Sequence, residues 1–221
     1  MTRGVNPHFL MVQLPAAVDS TEYRKAAAQL AVAHGGNILA NAPAAAVECL
    51  EAGTPTAAML LVEFEQQQNI DAFWSDDRHQ AMSARLSATP ALVALSVAGL
   101  PYEGLPDALE IPTTASVTPP ENQVPCAYMI VQGSSTDQAR MDRYRDIILP
   151  MIKEQGAYYT AFEIEGNVNL FCGEWPHEIF AISRWPDHQS GHTFWDSDRY
   201  QNTAIPVRTG VGHFLVHYLP G

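Results

Sequence analysis

Short stretches of alternating apolar and polar residues mark strands at 9–14, 37–42, 57–64 and 92–98, and again at 128–132, 158–163, 179–185 and 212–218. Between them the period lengthens to that of a helix. Asp19 or Ser20 can cap a helix running through Tyr23 to Ala33, and Asp137 opens its counterpart, which ends near Gln155. Gly35-Gly36 and Gly156 are the expected C-terminal stops. A second helix in each half contains a Phe-Trp pair, with the aromatic pair at its opening. Each half therefore reads β-α-β-β-α-β, the split motif of ferredoxin-like folds.

The two halves also repeat each other in letters. Residues 73–80 read Phe-Trp-Ser-Asp-Asp-Arg-His-Gln, and 121 positions later residues 194–201 read Phe-Trp-Asp-Ser-Asp-Arg-Tyr-Gln. At the same offset Tyr23-Arg24 matches Tyr144-Arg145, Gly35 matches Gly156, Pro55 matches Pro176, and Glu63-Phe64 meets Arg184-Trp185. A repeat of this length predicts a duplicated small domain and not a short-period solenoid. The expected organisation is a first repeat over 1–100, a connector over 101–125 and a second repeat over 126–221. The connector carries six prolines and a Thr/Ser patch without periodicity, which predicts an ordered or semi-rigid link.

A Tyr early in the first helix, the Gly pair after it, a third strand ending in Glu63-Phe64 and the aromatic pair followed by Ser75 to Gln80 carry a family likeness. The chain resembles a tandem copy of a bacterial domain-of-unknown-function family in the dimeric α+β barrel superfamily. The likeness covers most of both halves and is closer in the first; the second has Arg184 in place of the Glu and lacks the full Gly pair. It implies an α+β fold in which two ferredoxin-like sheets pack face to face within one chain, with a pocket inside the barrel or between sheet and helices. It gives no reaction, because that superfamily includes monooxygenases, isomerases, cyclases, haem enzymes and plain binding proteins.

With 47% hydrophobic residues over 221 positions there is ample material for a core. The 24 acidic residues against 12 basic ones, with no basic cluster among aromatics, argue against nucleic acid or an anionic membrane as a partner. Cys49, Cys126 and Cys172 are odd in number and show no C-x-x-C spacing, which fits a reducing cytoplasm better than a disulfide framework. No apolar run has membrane-spanning length, and no signal peptide is evident. Sheet faces closed internally would allow a monomer; free edges would allow a homodimer.

Strand parity selects candidate pocket residues. In the last strand of the first copy, Leu95 and Val97 are assigned to the helix face, leaving Ala94, Ser96 and Ala98 toward the barrel. In the second copy Phe214 and Val216 take the helix face, while His213, Leu215 and His217 turn inward. In the first strands, Phe9, Gln13, Tyr128 and Gln132 turn inward. His213 and His217 read either as rim residues or as a catalytic acid and base. Gln13 and Gln132 read either as partners for buried backbone or as substrate contacts. Glu63 and Arg184, at equivalent positions, read either as a structural ion pair or as a base facing an oxyanion-stabilising cation. Tyr128 and Trp185 are further substrate contacts, and Trp74 and Trp195 read as packing anchors.

Five of the eight histidines fall between His177 and His217. His188 and His192 have the helical spacing of a zinc site, but no Glu follows the first His and Gly191 disfavours a helix, so no metal is expected. No P-loop, G-x-S-x-G elbow or G-x-G-x-x-G is present, and no organic cofactor is expected. The leading expectation is a cofactor-independent enzyme performing isomerisation, cyclisation or lyase chemistry on a small, largely apolar organic molecule. A non-catalytic binding protein and a cofactor-free or haem-dependent monooxygenase are the alternatives.

Overall fold

The computed structural model describes residues 6–84, 86, 92–101, 110–119 and 125–221. The first half contains β1 (His8–Pro15), α1 (Thr21–Ala33), β2 (Asn37–Ala42), β3 (Glu48–Cys49), β4 (Ala57–Phe64), α2 (Gln67–Ser75), α3 (Asp77–Ser83) and β5 (Val93–Ala98). The second contains β6 (Ala127–Ser135), α4 (Gln138–Glu154), β7 (Tyr158–Glu163), β8 (Asn169–Cys172), β9 (Ile179–Trp185), α5 (His188–Trp195), α6 (Ile205–Arg208) and β10 (Gly212–Pro220), with a π-helical turn at Tyr200–Ala204 before α6. They form two five-stranded antiparallel sheets in the orders β2-β4-β1-β5-β8 and β3-β10-β6-β9-β7. The fold is mixed α+β, two ferredoxin-like repeats packed as a pseudo-dimeric barrel.

Local chemistry explains the element ends. The Asp19 carboxylate accepts from Thr21 N at the start of α1, and Asp137 accepts from Arg140 N at the start of α4. Gly35 and Gly156 close α1 and α4 at φ +83 and +70, a backbone conformation that costs glycine least. The aromatic pairs sit differently from expectation. Phe73-Trp74 and Phe194-Trp195 close α2 and α5 where the sequence reading had them open a helix, because Asp76 adopts an extended backbone and caps the following helix through Arg78 N.

Three apolar layers result. Phe9, Met11, Met59, Leu61, Tyr128, Ile130, Phe180 and Ile182 fill the space between the sheets. Leu10, Val12, Leu60 and Phe73 pack the first sheet against its helices, and Met129, Trp185, Phe194 and Val216 do so for the second. The face assignment for β5 is reversed: Leu95 and Val97 enter the barrel, while Ala94 faces the helices and Ser96 Oγ donates to Gln67 Oε1 on α2. Both faces of this strand are buried, so residue size did not distinguish them.

Each sheet borrows its outermost strand from the other half. β3 pairs with β10, and β8 pairs with β5. Of the connector, residues 102–109 and 120–124 lie outside the described ones; Ile111 is buried against the second half and Pro112 O accepts from Tyr159 N. The three cysteines are free. Among the described residues no helix is long and apolar enough to cross a membrane.

Candidate functional site

Two equivalent rows of side chains cross the sheets at one end of the barrel. In the first sheet, register brings Asn37, Glu63, Phe9 and Val97 into line; in the second it brings Tyr158, Arg184, Tyr128 and Leu219. Polar members of both rows, with Leu39, Leu100, Thr160 and the connector residues Thr113, Thr114 and Pro119, line a cleft of about 570 Å³. That size suits a small organic ligand.

The electrostatics of the cleft are uneven. Arg184 lies against two phenols, with its Cζ 5.9 Å from the Tyr158 ring, and its buried Nη1 has no hydrogen-bond partner among the described residues. Burial pushes the Tyr128 and Tyr158 hydroxyls above the ordinary phenol range; the Cys126 thiol adds to this at Tyr128, while Arg184 opposes it at both. Both phenols are therefore neutral donors at physiological pH. From the other row, Glu63 Oε2 accepts from Asn37 Nδ2 at 3.1 Å. The cleft thus holds a carboxylate, a guanidinium and two phenols within walls that mix apolar side chains with threonines.

The remaining residues expected at the site lie elsewhere. His217 is fully buried; its Nε2 donates to Pro55 O at 2.9 Å, its Nδ1 has no partner among the described residues, and burial lowers its pKa. His213 is exposed and stacks on His177, with ring centroids 6.4 Å apart. It pairs with Ser134, six residues along β6 from Tyr128, or about 20 Å at the rise of a strand. Gln132 donates to Gln13 Oε1 at 3.1 Å and accepts from Trp175 Nε1 at 3.0 Å, so the two glutamines satisfy each other between the sheets. Trp185 faces the helices, where its Nε1 donates to Ser183 Oγ. Of the eight expected residues, the structure gathers Glu63, Arg184 and Tyr128 in one cleft.

The sequence family described as Domain of unknown function (DUF1330) matches this chain twice, at residues 9–100 and 126–217. The chain belongs to the DUF1330 family. No curated protein matches the sequence. Among solved structures, a "Putative monooxygenase" from Fusobacterium nucleatum subsp. nucleatum ATCC 25586 aligns at 8% identity with a TM-score of 0.54, covering 98% of this chain and 92% of that one. An anthrone oxidase-like protein aligns at 8% identity and TM-score 0.48, covering 99% and 93%. At 8% identity the likeness to the Fusobacterium protein speaks for the fold alone.

Between the second DUF1330 repeat's sheet and α4 lies a smaller cavity, about 120 Å³, walled by Tyr144, Trp185, Phe194, Tyr200 and Arg208 among others. The Tyr144 and Tyr200 hydroxyls are 3.0 Å apart. Arg208 sits over the Phe214 ring and donates through Nη2 to Glu51 Oε2 at 2.6 Å. Sequence reasoning missed this group and missed Tyr158 and Asn37 in the cleft. Tyr158 and Asn37 flank Arg184 and Glu63 on neighbouring strands, so the strand pairing would have found them; Glu51 reaches Arg208 only through the exchanged strand β3, which left no periodic signal.

Proposed function

We propose that this DUF1330 tandem protein is an enzyme that moves a proton on a small, largely apolar carbonyl compound bound in the barrel-end cleft. Glu63 takes the proton from the carbon beside the carbonyl, and the bond's electron pair passes into the carbonyl, leaving an enolate oxygen. Arg184, assisted by the Tyr128 and Tyr158 hydroxyls, stabilises that oxygen. Return of the proton to a different carbon gives isomerisation; loss of a leaving group from the enolate gives lyase chemistry. The observation that carries this reading is one cleft that presents Glu63 together with Arg184, whose guanidinium has a buried nitrogen, Nη1, without a hydrogen-bond partner among the described residues. An unpaired buried donor on a charged group is costly, and a turn of the guanidinium toward a ligand oxygen in the cleft removes that cost.

Imidazole catalysis and a haem ligated by histidine have less support, since neither cavity has a histidine in its lining. A second reading places the ligand in the aromatic cavity under α4, where Tyr144, Tyr200 and Arg208 offer polar groups within an aromatic wall. Exchange of carbon-bound hydrogen for solvent deuterium, followed by NMR on small ketones and keto acids, tests the proposal. Glu63→Gln should lower the exchange rate at least 100-fold while binding persists, and Arg184→Gln should weaken binding about tenfold or more. Binding without exchange in the wild type would instead identify a binding protein.

A further inference from the structure

His188 and His192 lie on a helix, although Gly191 was expected to disfavour one there. Residues His188–Trp195 form α5, despite Gly191, because Asp187 and Ser190 make a reciprocal capping box and because glycine is needed there: a Cβ would collide with the Tyr218 hydroxyl. That hydroxyl donates to the carbonyls of Asp187 and His188 and fixes the first turn on the sheet. Both imidazoles consequently project from one helical face. Glu48, on exchanged strand β3 and paired in register with Tyr218, meets them.

Its Oε1 lies 2.6 Å from His188 Nε2 and its Oε2 3.0 Å from His192 Nε2. One atom from each of the three residues falls within a 4.8 Å cluster. Small rotamer shifts bring such atoms to the roughly 3.4 Å spacing of a tetrahedral ion with bonds near 2.1 Å. The other nitrogen of His192, Nδ1, faces Asp196 Oδ2 at 3.4 Å. Both carboxylates only accept, and a neutral imidazole carries one proton, so one of the two contacts needs another positive partner. A metal on Nε2, with Nδ1–H turned to Asp196, meets both demands and is the common carboxylate–histidine–metal arrangement.

The first repeat supplies an internal control. At the offset of 121 residues, His188, His192 and Glu48 correspond to Gln67, Asp71 and Asn169. There Gln67 bridges Asp71 and Ser96 through ordinary hydrogen bonds. The same scaffold therefore closes this corner without imidazoles, and the second repeat has replaced amides and a single acid with a ligand set.

We propose that Glu48, His188 and His192 bind a divalent transition-metal ion of the zinc class, joining the first repeat to the second. The two-nitrogen, one-oxygen set excludes thiolate-preferring ions and is unlike the all-oxygen sites of calcium or magnesium. Side-chain exposures of 47% for His188 and 27% for His192 leave the remaining coordination positions open to water.

The test is titration of chelator-treated full-length protein with Zn²⁺ by calorimetry and with Co²⁺ by visible absorption. The expected result is one ion per chain, a Co²⁺ spectrum without a thiolate charge-transfer band, and a melting temperature raised by Zn²⁺. His188→Ala and His192→Ala should each weaken binding at least tenfold. Glu48→Gln, which preserves shape, should weaken it while leaving the metal-free melting temperature close to wild type; His213→Ala should change nothing. Absence of saturable binding, or binding unaltered by Glu48→Gln and His192→Ala, would overturn the proposal and leave the cluster as a proton-held contact.

Discussion

The two repeats share a frame and differ in how they fill it. Under the helices of the first, the Tyr23 hydroxyl lies 3.1 Å from His79 Nε2, and Phe171 from exchanged strand β8 packs on Trp74 at 5.1 Å. In the second, Tyr144 meets Tyr200 at the equivalent positions, and β3 brings Leu50 and Glu51 where β8 brings Phe171 and Cys172. Glu51 pairs with buried Arg208, and a cavity remains. At the barrel end the contrast recurs, with Glu63, Asn37 and Phe9 opposite Arg184, Tyr158 and Tyr128. Duplication within one chain permits this: a symmetric homodimer must place the same residue on both sides of its axis, whereas a tandem copy can set an acid against a base.

The size exchange beneath the second helix of each repeat gives the largest effect. Ile70 and Ser96 in the first copy correspond to Gly191 and Tyr218 in the second, a large helix residue over a small strand residue and the reverse. Tyr218→Ser should cost about 3–5 kcal/mol, and Gly191→Ile about 3 kcal/mol. Combined, they should cost less than their sum by about 1–3 kcal/mol in urea denaturation, because each relieves the other. Strict additivity would refute the equivalence.

Next in size is the ion pair present in one copy only. Glu51→Gln leaves the Arg208 charge buried without its carboxylate and should lower stability by about 2–4 kcal/mol. Cys172→Ser, the equivalent position in the first copy, should cost about 1 kcal/mol or less. Equal losses in chemical denaturation would show that Arg208 does not depend on its partner.

Acidification should expose a smaller difference. Burial lowers the pKa of His79 in the first copy and of His217 in the second, the latter standing where the first copy has Leu95. A depressed histidine pKa contributes stability that is present above the unfolded value, about 6.5, and is lost as pH falls through the folded value. His217→Leu should therefore cost about 1 kcal/mol at pH 7.5, for the unpaired Pro55 carbonyl, yet flatten the decline in melting temperature between pH 7 and pH 5. An unchanged slope would mean that His217 protonates without penalty.

The repeat was legible because aromatic anchors and helix stops keep their spacing, and with it the equivalence of Glu63 and Arg184. Parity gave the correct faces for β1, β6 and β10. It failed for β5, where barrel and helix layers are both apolar and neither face of Leu95 or Ser96 meets water. Parity also says nothing about height along a strand, so His213 and His217 shared a face with Tyr128 on paper but not its cleft. The exchanged strands β3 and β8 are two and four residues long, too short to show a period. Glu48 and Glu51 therefore could not be connected to His192 or Arg208 before the pairing was known. Gly191 looked like a helix breaker because the reason for it, Tyr218, comes from a strand 27 residues away.

The most direct test is a crystal structure of the protein soaked with the small carbonyl compound that raises its melting temperature most. The account predicts density in the barrel-end cleft, with the carbonyl oxygen within hydrogen-bond distance of the Arg184 guanidinium and the adjacent carbon facing Glu63. Density under α4, enclosed by Tyr144, Tyr200 and Trp185 with the cleft empty, would contradict it.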